Sequence, residues 1–157
     1  MTNDAPAALD IVPYWGRLNE GMVRLVDYIP DGKLNWSPKP ELWNFKGTLI
    51  HICAVRHSWL ANTVLDGEPT PDVLREGQTK EQLKHHLAVS WQRVERFASN
   101  RAQLAATYSG VHPDNEPYNL VGHWIAYHLL EHDIHHRADI FHYLALLGIA
   151  HPDVGTP

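Results

Sequence analysis

The chain has a single cysteine, Cys53, which excludes an intramolecular disulfide and any Cys-x-x-Cys site. It has no block of lysine or arginine, and its net charge is −5 with the histidines neutral. Phosphate neutralisation needs a clustered basic surface, so nucleic acid is not expected as a partner. No apolar run approaches the ~20 residues that cross a bilayer, so no membrane partner is expected either. The opening MTNDAPAALD lacks a basic start and an apolar stretch. No signal peptide is therefore expected, and a cytoplasmic location follows by default. Strand alternation and internal repeats are also missing. With 157 residues, 44% of them apolar and 20% charged, the chain supports one ordered domain over 1–157 with a proper core.

Two residue types are abundant: twelve histidines and six tryptophans. Most of the chain reads as four helices separated by Pro/Gly punctuation. In the first, about 7–29, Ile11, Trp15, Leu18, Met22, Leu25 and Ile29 alternate at spacings of four and three and make one apolar stripe. Pro13 lies near its start, and Pro30-Asp31-Gly32 stops it. The linker LNWSPKPELW should be extended, because each proline disfavours helix in the residue before it. Asn44 is the expected N-cap of a second helix, about 45–66, with Leu49, Ile50, Cys53, Leu60 and Val64 inward. An irregular stretch at 67–77 follows. Thr79 and Gln82 read as a capping box opening a third helix, which ends near 106–108, with Leu83, Leu87, Val94, Phe97 and Leu104 inward. GVHPDNEPYN is a loop. Asn119 would cap a fourth helix, about 120–147, closed by Gly148 and Pro152. The expected fold is all-α, a four-helix bundle with long linkers between successive helices.

The fourth helix carries the densest histidine group, in HWIAYHLLEHDIHHRADIFHYL. His128, His132 and His136 are successive i, i+4 partners, a spacing that places imidazoles on one face where they can share a metal. With His135, Asp139 and His142 they occupy an arc of about 120°. Such a face reads either as solvated and polar or as a site set into the bundle. Trp124 and Ile125 before it and Tyr143 and Leu146 after it favour the second reading, since buried polar groups need hydrogen bonds or a metal. A third ligand must come from elsewhere, and His51 on the second helix is the leading candidate. His57 reads as packing, His85 and His86 as surface, and His112 and His151 as loop residues. Three neutral imidazoles with an open fourth position suit zinc or nickel first, and iron or manganese next. Without a cysteine ligand the arrangement looks catalytic rather than structural.

The stretches YIPDGKLNWSPKP, ELWNFKGTLIHICAVRHSWL and LLEHDIHHRADI together resemble the DinB/YfiT-type proteins over nearly the whole chain. The family pattern is a histidine on the second helix and a late His-x-x-His-His-Arg segment, matched by His51, His132, His135, His136 and Arg137. The resemblance implies His51, His132 and His136 as ligands of one divalent metal ion. The family commonly continues Gly-Gln where this chain has Ala138-Asp139, so Asp139 either orients a ligand imidazole or stands exposed. Some branches are metal-dependent thiol S-transferases using low-molecular-weight thiols such as mycothiol or bacillithiol, and members commonly form homodimers.

The expectation is thus a metal-dependent enzyme acting on a small molecule, as a thiol transferase or a hydrolase, with Glu131, His135 or Asp139 moving a proton. The alternatives are a non-enzymatic, stress-linked metal- or ligand-binding module and a structural dimer that has lost its metal. Trp43, Trp59, Trp124 and Tyr127 either wall an apolar pocket or pack the core. Cys53 reads as buried and inert. Arg56 and Arg137 are the only basic residues near the motifs in sequence, and so the only ones placed to grip a thiol cosubstrate.

Overall fold

The 4/3 apolar spacing of the first segment produces helix α1, Val12–Tyr28, in a computed structural model that describes residues 10–112 and 114–150. Trp15, Leu18, Met22 and Leu25 are fully buried, as is Ile29 just past the helix. The expected start at residue 7 lies outside the described residues, as do His151 and Pro152. Helix α2, Phe45–Trp59, begins where Asn44 accepts the Gly47 amide at 2.7 Å. It continues into a π-helical turn, Leu60–Val64, which Leu65 ends with a left-handed backbone, φ 59°. The linker before α2 is not extended. It folds in turns, and the Lys46 amide donates to the Leu34 carbonyl at 2.9 Å. Trp36 thereby packs on Phe45 and Tyr143.

The stretch 67–77 contains a short helix, α3, Val73–Glu76, capped by Asp72. Helix α4, Lys80–Ala98, opens with both halves of the Thr79–Gln82 capping box. The expected single third helix is interrupted. Asn100 accepts the Ala102 and Gln103 amides and starts a separate short helix, α5, Arg101–Ala105. Strands are present, contrary to expectation. β1, Thr107–Val111, pairs antiparallel with β2, Pro117–Val121, with Tyr108 opposite Leu120. Each strand has only five residues, and only Tyr108 and Leu120 pack against the core, so the period-two signal is too short to stand out. Asn119 therefore sits in a strand and caps nothing. The last helix, α6, is Gly122–Leu146, with Val121 at its N-cap. Gly122 is required there because a Cβ would meet the Gln103 carbonyl oxygen and the Leu104 backbone. Gly148, with φ 70°, closes α6.

The all-α expectation stands, with the hairpin as an addition. α1 packs on α4, α4 on α2 and α2 on α6, around one core that includes every inward residue expected from the first three helices except Ile11 and Leu104, which are partly buried. Each fully buried large apolar side chain contributes roughly 1.5–3 kcal/mol. The core is not wholly apolar. Arg56 of α2 is fully buried and donates to the Asp133 carboxylate of α6, 2.8 Å from Nη2 to Oδ2. Its Nη1 donates to Asn19 Oδ1 of α1 and Ser90 Oγ of α4, and Trp15 Nε1 donates to Asp133 Oδ2 at 2.6 Å. One buried ion pair thus links all four long helices. No helix among the described residues is long and apolar enough to cross a membrane.

Candidate metal centre

Two helices supply the histidines. On α6, Ala126, Leu129, Asp133, Ile140 and Leu144 face the core. This stripe leaves His132 and His136 along its edge, half-buried and directed toward α2. On α2, His51 borders the buried run Leu49, Ile50, Ile52 and Cys53 and is likewise half-buried. The Arg56–Asp133 pair sets how α2 lies against α6. The result brings His51, His132 and His136 together, with one ring nitrogen from each within 4.8 Å of the others. His132 Nε2 and His51 Nε2 are 2.9 Å apart.

The chemistry of this donor set fits a cation. A single proton between His51 and His132 satisfies one lone pair, and among the described residues no protein donor reaches all three nitrogens. A metal ion would satisfy the three lone pairs at once. The rings are also held in the form that ligates. Burial, and then the neighbouring His136, push His51 down to about 4. Burial, His136 and His51 push His132 down to about 3. Both are neutral at physiological pH. The Nδ1 of His132 is buried with no hydrogen-bond partner among the described residues. His136 Nδ1 meets Asp139 Oδ2 at 3.0 Å, which leaves Nε2 for the centre. Asp139 is partly exposed and its carboxylate lies against His136 Nδ1, a position from which a carboxylate can fix the ring and tautomer of a donor histidine.

The other sequence candidates divide. His135 is exposed, but its ring lies beside His136, and with Asp139 the two form a second group of ligand atoms within 4.8 Å. His128 stays out of the centre and stacks on Trp124. Glu131 is exposed and lines a cleft with Trp124, away from the three-histidine group. His142 is exposed. The apolar bracketing of the histidine face is only half real. Ile125 and Tyr143 are buried, whereas Trp124 and Leu146 are 46% and 66% exposed. Trp124 leans on Trp59 and His128 instead of the core.

His57 is buried as expected, with Nδ1 3.1 Å from Arg93 Nη1. His85 is exposed, but His86 is not on the surface. It is buried, with Nε2 3.4 Å from Glu76 of α3, a short helix that packs on α2. His112 is exposed and rests on Tyr118. Cys53 is fully buried, and burial pushes its thiol up to about 11, so it is no nucleophile. Arg56 cannot grip a cosubstrate, since it is enclosed with Asp133. Arg137 lies over the Phe141 ring at 5.5 Å.

The four candidate pocket aromatics divide: Trp43 lies against the centre, Trp124 and Tyr127 line a second cleft, and Trp59 packs partly buried against the core. Trp43 is 47% exposed, with its ring 4.0 Å from that of His51 and stacked on His136 at 5.7 Å. It borders a cleft of about 300 Å³ that also takes in Glu41, His135, Asp139 and Tyr143. A second cleft of about 280 Å³ lies along α6 at His123, Trp124, Tyr127, His128 and Glu131. None of the residues lining either cleft is lysine or arginine.

No curated protein matches this sequence. The model of the DinB family matches residues 1–157, and the chain, with its α2 histidine and its α6 His-x-x-x-His pair, belongs to that family.

Proposed function

We propose that this protein holds one divalent metal ion through His51, His132 and His136 and is a metal-dependent enzyme acting on a small electrophilic molecule. The observation that carries the reading is the convergence of three ring nitrogens beside an open cleft. Zinc or nickel suits three imidazoles best, with iron or manganese next, and the ion found will also reflect supply. When bound, the metal would supply Lewis acidity that lowers the pKa of a thiol or water nucleophile.

The chain's own residues do the rest. Asp139 holds His136 by Nδ1 and keeps its Nε2 aimed at the centre. Trp43 covers the His51 and His136 rings and excludes water from that side. His135, in the same cleft as the Asp139 carboxylate, is placed to take a proton from the attacking group on a ring nitrogen. A low-molecular-weight thiol remains part of the proposal by family likeness. The cleft linings, with carboxylates and no lysine or arginine, suit a neutral nucleophile better than a strongly anionic thiol.

The test is turnover by metal-stripped and metal-reloaded protein, given an activated ester alone and an alkylating electrophile with a panel of thiols. Acceleration that appears only on reloading supports the enzyme. If no nucleophile is accelerated beyond free metal, the non-enzymatic metal- or ligand-binding module takes its place.

A further inference from the structure

The cleft at the start of α6 exposes aromatic surface that the fold does not need. Trp124 and His128 stack with planes 7° apart and centroids at 5.1 Å, and Trp59 packs against both, at 5.9 and 5.0 Å. Tyr127 stands beside them 70% exposed. Trp124, Tyr127, His128 and Glu131 follow at spacings of three, one and three, so they share one face of the helix. Among the described residues, Glu131 is the only carboxylate lining this cleft, and His123 and His128 are its only other titratable side chains besides the Tyr127 phenol. At about 280 Å³ the cleft suits part of a small molecule rather than a large one.

We propose that this cleft binds an organic cation, an amine or quaternary ammonium group on an apolar body, as the recognition element of the substrate. The faces of indole and phenol rings carry negative charge density that attracts a cation. Glu131 adds a full negative charge one turn beyond Tyr127. An anion would meet that carboxylate with no lysine or arginine in the lining to offset it, and a neutral ring would stack while leaving Glu131 unused. The cleft and the candidate metal centre are set along the same helix. His128 belongs to the cleft and precedes His132 by one turn, about 6 Å along the axis. A molecule held by its cationic end at Trp124 that runs along α6 past His128 reaches the level of His132. Calling that molecule the substrate rests on the enzymatic reading above, while the binding itself does not.

The experiment uses calorimetric titration with benzyltrimethylammonium, its neutral isostere neopentylbenzene, and benzoate, on metal-stripped and metal-loaded protein. The cation should bind about fivefold more tightly than the neutral probe, with benzoate weakest. Glu131→Gln should remove most of that preference, and Trp124→Ala should weaken both uncharged and cationic probes, with helicity unchanged by circular dichroism. Glu131→Gln protects the test against a Trp124→Ala variant that folds poorly. Equal binding of neutral and cationic probes, tightest binding of benzoate, or a preference that survives Glu131→Gln would overturn the proposal. Cation binding by stripped protein that never takes up metal would sink the enzymatic reading and leave this one standing. Normal metal loading without cation preference would do the reverse.

Discussion

The Nε2 atoms of His51 and His132 face each other at 2.9 Å across α2 and α6, although 81 residues separate them in the chain. Two imidazole nitrogens at that distance share one proton or, with His136, one cation. Replacing either His51 or His132 by alanine should strip the ion measured by elemental analysis. Helicity should be largely kept, because neither ring belongs to the buried apolar core. Full metal retention in either variant would show that the triad is not the binding site.

Asp139 meets the candidate centre at His136 Nδ1, 3.0 Å from its Oδ2. Asp139→Asn should weaken metal affinity by about 10- to 100-fold, the usual cost of losing a carboxylate behind a ligand histidine. Chelator competition gives the affinity, and thermal melting of metal-free protein should show little change. An unaltered affinity would mean the carboxylate merely sits nearby.

Arg56 and Asp133 behave as a unit. Asp133→Ala leaves a buried guanidinium unpaired, and Arg56→Met leaves a buried carboxylate. Each should cost about 3–5 kcal/mol in urea unfolding. The double variant Arg56→Met with Asp133→Leu should recover much of that loss. Singles that lose less than about 1 kcal/mol would contradict the role given to this pair in joining the four helices.

Stability should fall as pH drops from 6.5 toward about 4 in metal-free protein. Burial, then the Arg93 guanidinium, holds His57 down at about 4, against an ordinary 6.5. In that window the unfolded chain takes a proton that the folded chain refuses, so stability is fully present above 6.5 and is lost on acidification. The slope is up to about 1.4 kcal/mol per pH unit for each such histidine. His51 and His132 shift in the same direction and add to it. His57→Gln should reduce the slope by about one proton in denaturant titrations. A flat profile across this range would refute the buried, neutral state of these rings.

The apolar stripes of α1, α2 and α4 were legible because helical spacing and burial share one period. Asn44 and the Thr79–Gln82 box were legible because capping is local chemistry. The hairpin was hidden, since its pairing is read only once Thr107 lies opposite Val121. The break at Asn100 left a signal, a residue type that prefers caps in mid-helix, and the 3.6 period ran past it. Arg56 also left one. It continues the inward spacing of Cys53 and Leu60, so a charge stood in an apolar stripe and required a buried partner.

The sequence alone determined the all-α fold and the histidine face of α6 and named His51, His132 and His136 as candidate ligands, through helical periodicity and the family motif. Only the tertiary structure decided that Asp133 is the buried partner of Arg56, that Asp139 holds His136, and that Trp43 and Trp124 wall clefts instead of filling the core. Those outcomes depend on how α2 and α6 are set against each other. That setting comes from long-range packing and one buried ion pair, and neither is written in the spacing of residues along a single helix.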